Sequence, residues 1–356
     1  MEKIVVDYVY RNFYNARSKA REDVNHIAQN HGFKPLLLNT RTTTEYAENH
    51  PSFISRLGYN FRKFFILLRS IWSIKCGSLV LFQFPFFPFG DFFSLLFCRC
   101  LKIKKCHLVI LVHDILHFRI TGVFDKFEIK TLQTASELIV HTPQMQDLFK
   151  KNGIDCPCRT LWLFDYLTEE IPCGNSNHYD YDSVAFAGAL SKSVFLKKVE
   201  RVTFNDIQMH LYGIKTEDTK EYPDWMKYMG RFSPENVTML TEGWGLTWDG
   251  DEIEYLHAPL GNYLRYISSH KTSLYIAAGI PVIVSKESAL AEYVEKNKLG
   301  IAISSLLELE KRITEFDKEE YRQIRKHVME MSATLRAGGH LGAILDDIVR
   351  ENCLNS

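Results

Sequence analysis

The 356-residue sequence lacks a charge excess, a paired cysteine motif and a signal-peptide pattern in its first residues. Lysine plus arginine and aspartate plus glutamate both number 43, so no overall field favours binding to nucleic acid. None of the eight cysteines belongs to a C-x-x-C pair, which argues against a zinc or redox site and for reduced thiols. The start MEKIVVDYVY has the pattern of a strand and not of a signal peptide. We therefore expect a cytoplasmic protein that holds a small substrate by local charges.

The sequence also lacks an apolar run long enough to span a bilayer. Residues 79–112 are rich in apolar side chains, but Pro85, Pro88 and Asp91 interrupt them before the roughly 20 residues that a span requires. A transmembrane helix is not expected here.

Seven phenylalanines lie close together in this region, and three lysines follow them. They are Phe84, Phe86, Phe87, Phe89, Phe92, Phe93 and Phe97, followed by Lys102, Lys104 and Lys105. This order indicates either a surface that rests on the inner face of a membrane beside a lipid-linked substrate, or a core helix that ends in basic residues.

No glycine-rich turn follows the first predicted strand, which argues against NAD or FAD at that position. The segment YRNFYNARSKAR, residues 10–21, has basic and amide side chains instead, suited to an acceptor sugar or its phosphate: Arg11, Asn12, Arg17, Lys19 and Arg21. A solvated helix start is the alternative interpretation.

Apolar runs and helical patterns alternate along the whole chain, which predicts an α/β protein with parallel sheets wound on both faces. In the first half we predict strands at 3–9, 35–39, 78–84, 107–112 and 137–141, with helices near 16–31, 54–74, 90–100, 121–134 and 143–152. In the second half we predict strands at 183–187, 208–212, 226–229, 245–248, 281–284 and 300–303.

The length suits two domains. Residues 168–182 are polar and rich in turn residues, so we expect them to link a first domain, 1–167, to a second domain, 183–335. The last segment, 336–356, has helical spacing and is expected to pack back on the first domain.

The most informative stretch is SSHKTSLYIAAGIPVIV, residues 268–284, which predicts a polar loop, a helix and a buried strand. At the helix start, Lys271, Thr272 and Ser273 provide a positive charge, hydroxyls and backbone N–H groups, and the helix dipole favours an anion. A nucleotide diphosphate is the expected ligand. An ordinary helix start with a solvated lysine is the alternative.

Other candidate donor-binding residues follow the ends of predicted strands, where open α/β sheets bind ligands. Gly188 would let a phosphate approach the backbone, and Lys192 would neutralise it. The Tyr212 ring would stack on a base or contact its edge. Alternatively, it would lie at the rim of the site without a role. Asp249 would accept hydrogen bonds from sugar hydroxyls. The Asp-Gly-Asp turn at 249–251 fits turn chemistry, and we predict no metal.

His113 and Asp114 follow the predicted strand 107–112, and they are the titratable pair at a strand end in the first half. Either group would remove a proton from an attacking hydroxyl. The alternative is that His113 caps a chain end and Asp114 begins the next helix.

With these elements in order, the chain resembles the GT-B glycosyltransferases. The resemblance is to bacterial β-1,6-galactofuranosyltransferases of polysaccharide gene clusters and, more distantly, to streptococcal adhesin glucosyltransferases. The matching segments are SKARED at 18–23, HDI at 113–115, TPQM at 142–145, FDYL at 164–167, FAGALSK at 186–192, GLTWDGD at 245–251 and HKTSLYIAAGIPVIV at 270–284.

The resemblance implies a UDP-sugar bound by the second domain, an acceptor bound by the first, and chemistry in the cleft between them without an obligatory metal or other cofactor. Carried over by position, the donor residues are Gly188, Lys192, Tyr212, Lys271, Thr272 and Ser273, and the acceptor-facing residues are His113 and Asp114. The chain departs from the family pattern at Ala189, where an asparagine is usual, and it has no two-glutamate E-x7-E signature around Lys271.

The resemblance also implies transfer of galactofuranose to a lipid-linked glucoside in O-antigen or capsule biosynthesis. Inverting transfer would need a base, Asp114 or His113. A UDP-sugar epimerase and a non-catalytic scaffold or chaperone for a partner transferase are the rival functions. The presence of both Lys192 and Lys271 argues against a scaffold. The sequence leaves homo-oligomerisation and peripheral membrane contact open.

Overall fold

The structure is a computed structural model that describes residues 1–8, 16–38, 53–87, 89–173, 180–215 and 221–354, without the side chains of 16, 17 and 53–57. The chain divides into two units. The first comprises Met1–Phe13, Arg17–Leu161 and Leu341–Ser356, and the second comprises Tyr14–Ala16 and Trp162–His340.

The first unit contains a six-stranded parallel sheet with the spatial order β2-β1-β3-β4-β5-β6. Its strands are β1 Lys3–Tyr8, β2 Lys34–Leu38, β3 Leu79–Phe84, β4 His107–Val112, β5 Glu137–Val140 and β6 Cys158–Thr160. Every residue of β3 is buried, as expected for a central strand of a sheet covered on both faces. The short β6 was not predicted, because three half-buried residues carry no strand pattern.

The helices of the first unit connect these strands and cover the sheet. They are α1 Ala16–Asn30, α2 Phe53–Ser73, α3 Gly90–Ile103, α4 Leu116–Thr121, α5 Lys126–Leu132, α6 Pro143–Lys151 and α13 Gly339–Leu354, of which α13 begins at the end of the second unit.

The single helix predicted at 121–134 is wrong. Gly122 ends α4, and its N–H donates to the Phe118 carbonyl at 2.7 Å. Asp125 then starts α5 with a capping box that it shares with Glu128, so a new helix begins where the pattern suggested continuation.

The second unit has its own six-stranded parallel sheet, of order β12-β11-β10-β7-β8-β9. The strands are β7 Asp180–Ala187, β8 Gln208–Tyr212, β9 Met226–Gly230, β10 Glu242–Thr247, β11 Val282–Ser285 and β12 Gly300–Ile303. Strand β10 starts three residues before the predicted 245–248 and ends before Trp248. The missed residues include a buried glutamate and a glycine, which are uncommon in a strand interior.

The helices of the second unit are shorter, and the residues of this unit that the structure describes also include three single turns of 3₁₀-helix. The α-helices are α7 Leu196–Val199, α8 Ala258–Tyr263, α9 His270–Ala277, α10 Ala291–Lys296, α11 Leu309–Thr314 and α12 Lys318–Arg336. The 3₁₀ turns are Leu190–Lys192, Val237–Met239 and Leu306–Glu308.

The division of the chain falls after Leu161 and not across the predicted linker 168–182. Leu163 and Tyr166 explain the difference, since both are buried in the core of the second unit with Val282 and Leu335. A second core cluster, on Trp244, Leu246 and their neighbours, lies on the same sheet. The predicted α/β class with two doubly wound parallel sheets is confirmed.

The phenylalanine cluster is largely core. Phe84, Phe86, Phe89 and Phe97 are buried, whereas Phe92 is exposed. No helix in the described part of the chain is long and apolar enough to cross a membrane.

Candidate functional site

The second sheet reverses its strand order between β7 and β10. In open α/β sheets, ligands bind outside the carboxyl ends of the strands at such a switch point. Gly188 follows β7 here, and Trp248 and Asp249 follow β10. The topology therefore brings two of the predicted donor-binding residues, Gly188 and Asp249, to one place.

Lys271 joins them from the first turn of α9. Its Nζ lies 3.3 and 3.2 Å from the two carboxylate oxygens of Asp249 and 3.3 Å from the Trp248 carbonyl oxygen. The ammonium also lies over the Phe186 ring, 4.8 Å from its centroid. A Cβ on Gly188 would stand 3.0 Å from Lys271 Cε, so the lysine stem covers the glycine. The cation is positioned at the switch point and neutralised by one carboxylate.

The start of α9 is capped by its own chain. The Ser269 hydroxyl accepts from the Lys271 N–H at 3.3 Å, and the Ser269 carbonyl accepts from the Thr272 N–H at 3.0 Å. The prediction of a helix start with free N–H groups therefore needs correction at Lys271 and Thr272. A ligand would have to displace these contacts to use them.

Thr272 and Ser273 are completely buried, which the sequence did not predict. The Thr272 hydroxyl lies 3.1 Å from the Thr247 hydroxyl at the end of β10. The Ser273 hydroxyl has no hydrogen-bond partner among the described residues. The Thr272 hydroxyl thus links α9 to the sheet, and the prediction that both side chains face a diphosphate is corrected, because both are enclosed by the protein.

Two backbone segments meet closely beside this site. A Cβ on Gly213, which follows β8 with φ of +142°, would lie 1.8 Å from the Gly188 carbonyl oxygen. The Gly188 N–H donates to the Tyr212 carbonyl at 2.9 Å. Only glycine allows this approach at position 213, so the loop after β8 supports the loop after β7.

Tyr275 is a site residue that sequence reasoning missed. Its hydroxyl accepts from the Ala187 N–H at 2.8 Å, at the carboxyl end of β7. Its ring lies on β10 at Gly245, where a Cβ would stand 2.2 Å from Tyr275 Cγ. Burial raises the pKa of the phenol. The signal in the sequence is Gly245 in the middle of a strand, which marks close approach of another group.

Tyr212 does not lie where the sequence analysis placed it. The ring is buried and packs edge-on against Phe232, with centroids 5.4 Å apart. The phenol donates to Glu242 Oε1 at 2.6 Å, and His210 Nδ1 lies 2.8 Å from the same oxygen. Burial, together with the Glu242 carboxylate, raises the pKa of Tyr212. The predicted stacking on a base is corrected to a place in the core.

Lys192 is exposed at the end of a 3₁₀ turn. Its ammonium makes no hydrogen bond or ion pair with any residue that the structure describes. It is a free cation four residues after Gly188 in sequence.

Asp251, Glu252 and His257 form the one candidate metal-ligand group among the described residues. All three members already have partners in the protein, since His257 Nδ1 lies 2.9 Å from Asp251 Oδ1 and Lys198 pairs with Glu252.

In the first unit, Asp114 and His113 follow β4. Arg119 Nη1 donates to Asp114 Oδ2 at 2.7 Å, whereas Asp114 Oδ1 is buried and accepts no hydrogen bond from a described residue. His113 Nε2 lies 2.7 Å from Gln83 Oε1. Asp114 thus has one oxygen paired with Arg119 and one enclosed oxygen without a described partner, while the His113 ring is bonded to Gln83.

Behind these residues lies a buried polar network. Arg21 donates to Asp7 Oδ1 through Nε at 2.8 Å and Nη2 at 2.6 Å, and to the Gln83 and Pro85 carbonyls. Asn25 donates to Asp7 Oδ2 at 3.0 Å. Both charged side chains are almost fully buried. The guanidinium is satisfied by the protein itself.

The predicted acceptor-binding segment is therefore corrected at two positions. Arg21 is buried in that network, and Lys19 is buried in an ion pair with Asp23 at 2.6 Å. Arg11 and Asn12 lie outside the described residues, and Arg17 lies in α1 with its side chain outside the description.

His141 follows β5 at the same edge and is completely enclosed. Its Nε2–H donates to the Val112 carbonyl at 2.8 Å. Burial lowers the pKa of His141 to about 4, and the nearby Asp114 carboxylate opposes this shift in part.

Two family models match the chain. The glucosyltransferase 3-like N-terminal domain matches residues 3–161, and the glucosyltransferase 3-like C-terminal domain matches residues 184–348.

Curated relatives agree with this match. The chain is 30% identical over 301 residues to the β-1,6-galactofuranosyltransferase WbbI of Escherichia coli K12, covering 80% of this chain and 86% of the relative. It is 26% identical over 285 residues to glucosyltransferase 3 of Streptococcus gordonii, covering 78% and 81%.

Among solved structures, sucrose-phosphate synthase from Thermosynechococcus elongatus superposes with a TM-score of 0.64 at 10% identity, with 100% of both chains covered. At this identity the likeness concerns the fold alone. The predicted GT-B fold class is confirmed.

Proposed function

The chain belongs to the glucosyltransferase 3-like family and is a glycosyltransferase, and from this premise we propose that it transfers galactofuranose from a UDP-sugar. The acceptor in this proposal is a hydroxyl of a lipid-linked glucoside. The reaction would belong to the assembly of a bacterial surface polysaccharide such as O-antigen or capsule. The name of the relative from E. coli supports the choice of sugar and of the β-1,6 linkage. The proposed place of action is the cytoplasm.

One observation carries the donor assignment: Lys271 is held at the switch point of the second sheet, over Gly188 and beside Asp249. A diphosphate placed there would replace Asp249 as the partner of the ammonium. The exposed Lys192 would add a second positive charge. Because negative charge grows on the departing UDP during transfer, these cations stabilise the transition state more than the bound substrate.

The freed Asp249 carboxylate would then accept hydrogen bonds from hydroxyls of the sugar or ribose. Its side chain is part-exposed, whereas Thr272 and Ser273 are buried. The Ser273 hydroxyl, which lacks a partner among the described residues, would gain one from the ligand only if α9 shifts. We therefore assign the direct contacts to Lys271, Asp249 and the Gly188 backbone, and a positioning role to Thr272 and Ser273.

The base in this proposal is Asp114. The acceptor oxygen attacks the anomeric carbon, the bond from that carbon to the β-phosphate oxygen breaks, and its electron pair leaves with UDP. The acceptor proton passes to the Asp114 carboxylate, whose Oδ2 is held by Arg119. Its Oδ1 has no described partner but is buried, so acceptor binding would have to expose it. A direct displacement inverts the configuration, as a β-linked product from an α-linked donor requires.

No metal ion takes part in the proposed reaction. Lys271, Lys192 and the positive end of α9 supply the charge that a divalent cation would otherwise bring to the diphosphate. Activity assayed with excess EDTA should equal activity with added Mg²⁺ or Mn²⁺. A loss with EDTA that Mn²⁺ restores would contradict this part of the proposal.

The test of the donor site is Lys271→Met, with Lys296→Met as the matched control because Lys296 is an exposed lysine at the end of α10. With UDP-galactofuranose and an octyl glucoside acceptor, Lys271→Met should lower kcat/KM by about 100-fold or more. UDP should raise the Tm of the unchanged protein and should not raise that of Lys271→Met. The control should retain both properties. Full activity of a folded Lys271→Met protein would overturn the proposal.

The test of the base is Asp114→Asn compared with His113→Gln. Asp114→Asn should lower kcat by about 100-fold or more and leave UDP affinity unchanged. His113→Gln should have the smaller effect, because His113 is bonded to Gln83. If His113→Gln is the more damaging change, the base is His113.

A further inference from the structure

Helix α2 carries a row of apolar side chains on its outer face. Phe61, Phe65, Leu68 and Trp72 are spaced by four, three and four residues, so they lie along one side of the helix. Phe61, Phe65 and Trp72 are 57%, 65% and 85% exposed, and Leu68 is half-buried. We call these four residues the α2 stripe.

The stripe is not the face by which α2 joins the first unit. Tyr59, Leu67, Ile71 and the following Ile74 are buried and make up that inner side. The helix therefore has two apolar faces, one in the core and one in solvent. An exposed apolar surface of this kind marks an interaction site.

The charge around the stripe identifies the partner. Residues 49–113 contain nine lysines and arginines and one acidic residue, Asp91, in a chain whose total charges balance. Arg62 and Arg69 are exposed on α2 itself, which has no acidic residue. Lys102 and Lys105, also exposed, lie at the end of α3, which packs against α2.

We propose that the α2 stripe docks on the surface of a lipid bilayer that contains anionic headgroups. Exposed Phe, Leu and Trp side chains bordered by arginine and lysine are the pattern of a helix that lies in the membrane interface. Basic residues at such a surface gain from the negative potential of anionic lipids. A second copy of the chain would instead bring like charges together. This proposal does not depend on the sugar that the enzyme transfers.

Trp72 supplies a direct signal. It is one of five tryptophans, and it is 85% exposed, whereas Trp225, Trp244 and Trp248 are buried. Adding vesicles of phosphatidylcholine and phosphatidylglycerol should shift the emission of the full-length protein to shorter wavelength. Vesicles of phosphatidylcholine alone should produce little shift. Brominated lipids should quench the same emission.

Two double variants distinguish vesicle binding through the α2 stripe from nonspecific binding by any exposed apolar side chain. Phe65→Ser/Trp72→Ser should weaken co-sedimentation with the mixed vesicles by about 10-fold or more. The matched control is Ile171→Ser/Met239→Ser, which removes two exposed apolar side chains from the second unit. It should bind as the unchanged protein does. Circular dichroism and Tm should show that both double variants fold.

The contribution of charge is tested with Arg62→Gln/Arg69→Gln and with salt. Binding should fall in this variant, and it should fall for the unchanged protein between about 0.1 M and about 1 M NaCl, over which the Debye length shrinks from about 10 Å to about 3 Å.

Three outcomes would overturn the proposal. One is that no vesicle binds. Another is that the stripe variant binds as well as the control. The third is that light scattering shows a dimer that Phe65→Ser/Trp72→Ser converts to a monomer, which would make the stripe a contact between copies.

Discussion

At the switch point of the first sheet, between β1 and β3, buried charged side chains of the protein occupy the carboxyl-end edge of the sheet. At the same edge of the second sheet, between β7 and β10, glycine backbone and a part-exposed lysine lie there instead. In the first unit Asp7, at the end of β1, is paired with Arg21, and Arg21 also bonds the Gln83 and Pro85 carbonyls by β3. In the second, the backbone of Gly213 packs against that of Gly188, and the Lys271 side chain covers Gly188.

The difference shows that parallel-sheet topology alone does not make a ligand site. Both sheets have six strands and a reversal of order, but the first switch point is filled by the buried Asp7–Arg21 pair, whereas at the second the part-exposed Lys271–Asp249 pair marks the donor site of our proposal. The charged residues of the first edge pair with each other inside the protein, and Asp114, the base in our proposal, lies one strand further along after the end of β4. The following predictions test this division.

The largest effect is expected from Gly213→Ala. Its Cβ would stand 1.8 Å from the Gly188 carbonyl oxygen, so the two loops beside Lys271 must separate. The free energy of unfolding should fall by about 5 kcal/mol, and UDP should no longer raise Tm.

The matched control is Gly230→Ala. Gly230 also has positive φ, +93°, but open space where its Cβ would lie, so the free energy of unfolding should fall by only about 1–2 kcal/mol. If urea unfolding shows equal losses of unfolding free energy for Gly213→Ala and Gly230→Ala, the loss comes from backbone conformation and not from the contact between the two loops.

Arg21→Met tests the filled edge. The change leaves Asp7 buried without its cation, so the free energy of unfolding should fall by about 4 kcal/mol. Arg322→Met, which breaks an exposed ion pair with Glu319, should cost less than about 1 kcal/mol. Adding Asp7→Leu to Arg21→Met should recover part of the loss. If Arg21→Met and Arg322→Met lower the free energy of unfolding in urea by similar amounts, the buried Asp7–Arg21 pair does not stabilise the first edge.

A smaller effect is expected from acid, through His141. Its pKa is lowered to about 4 in the folded protein from an ordinary 6.5, so between these values the unfolded chain binds a proton that the folded chain does not. Stability therefore falls as pH falls from about 6.5 to about 4, by about 3 kcal/mol from this group. His141→Gln should remove that part of the slope in urea unfolding measured across this range. An unchanged slope would show that His141 takes up its proton without unfolding.

Much of the fold was predictable because apolar runs and turn residues repeat along the chain. The carboxyl ends of β7 and β8, at Ala187 and Tyr212, were predicted correctly because glycine follows each. Lys271 at the start of α9 was also predicted from its polar loop. These features are local, and local patterns report them well.

The missed features are pairings between distant parts of the chain. Nothing in the spacing joins Lys271 to Asp249, 22 residues earlier, or turns Tyr212 inward to Glu242. The burial of Arg21 had one signal, the charged Asp7 in the apolar strand KIVVDY. A carboxylate in such a strand needs a buried partner, and the nearest basic segment was interpreted instead as a solvated helix start or an acceptor site.

The helix α13 contributes Leu341, Leu345 and Ile348 to the core of the first unit, where His31 pairs with Asp346 and Arg159 with Glu351. On the ribosome, these residues are made only after residues 162–340. At about 5–20 residues per second, that delay is on the order of 10 to 40 s. The domain that is begun first is thus finished last, and until then the apolar surface that receives α13 is open to chaperones or to misassembly.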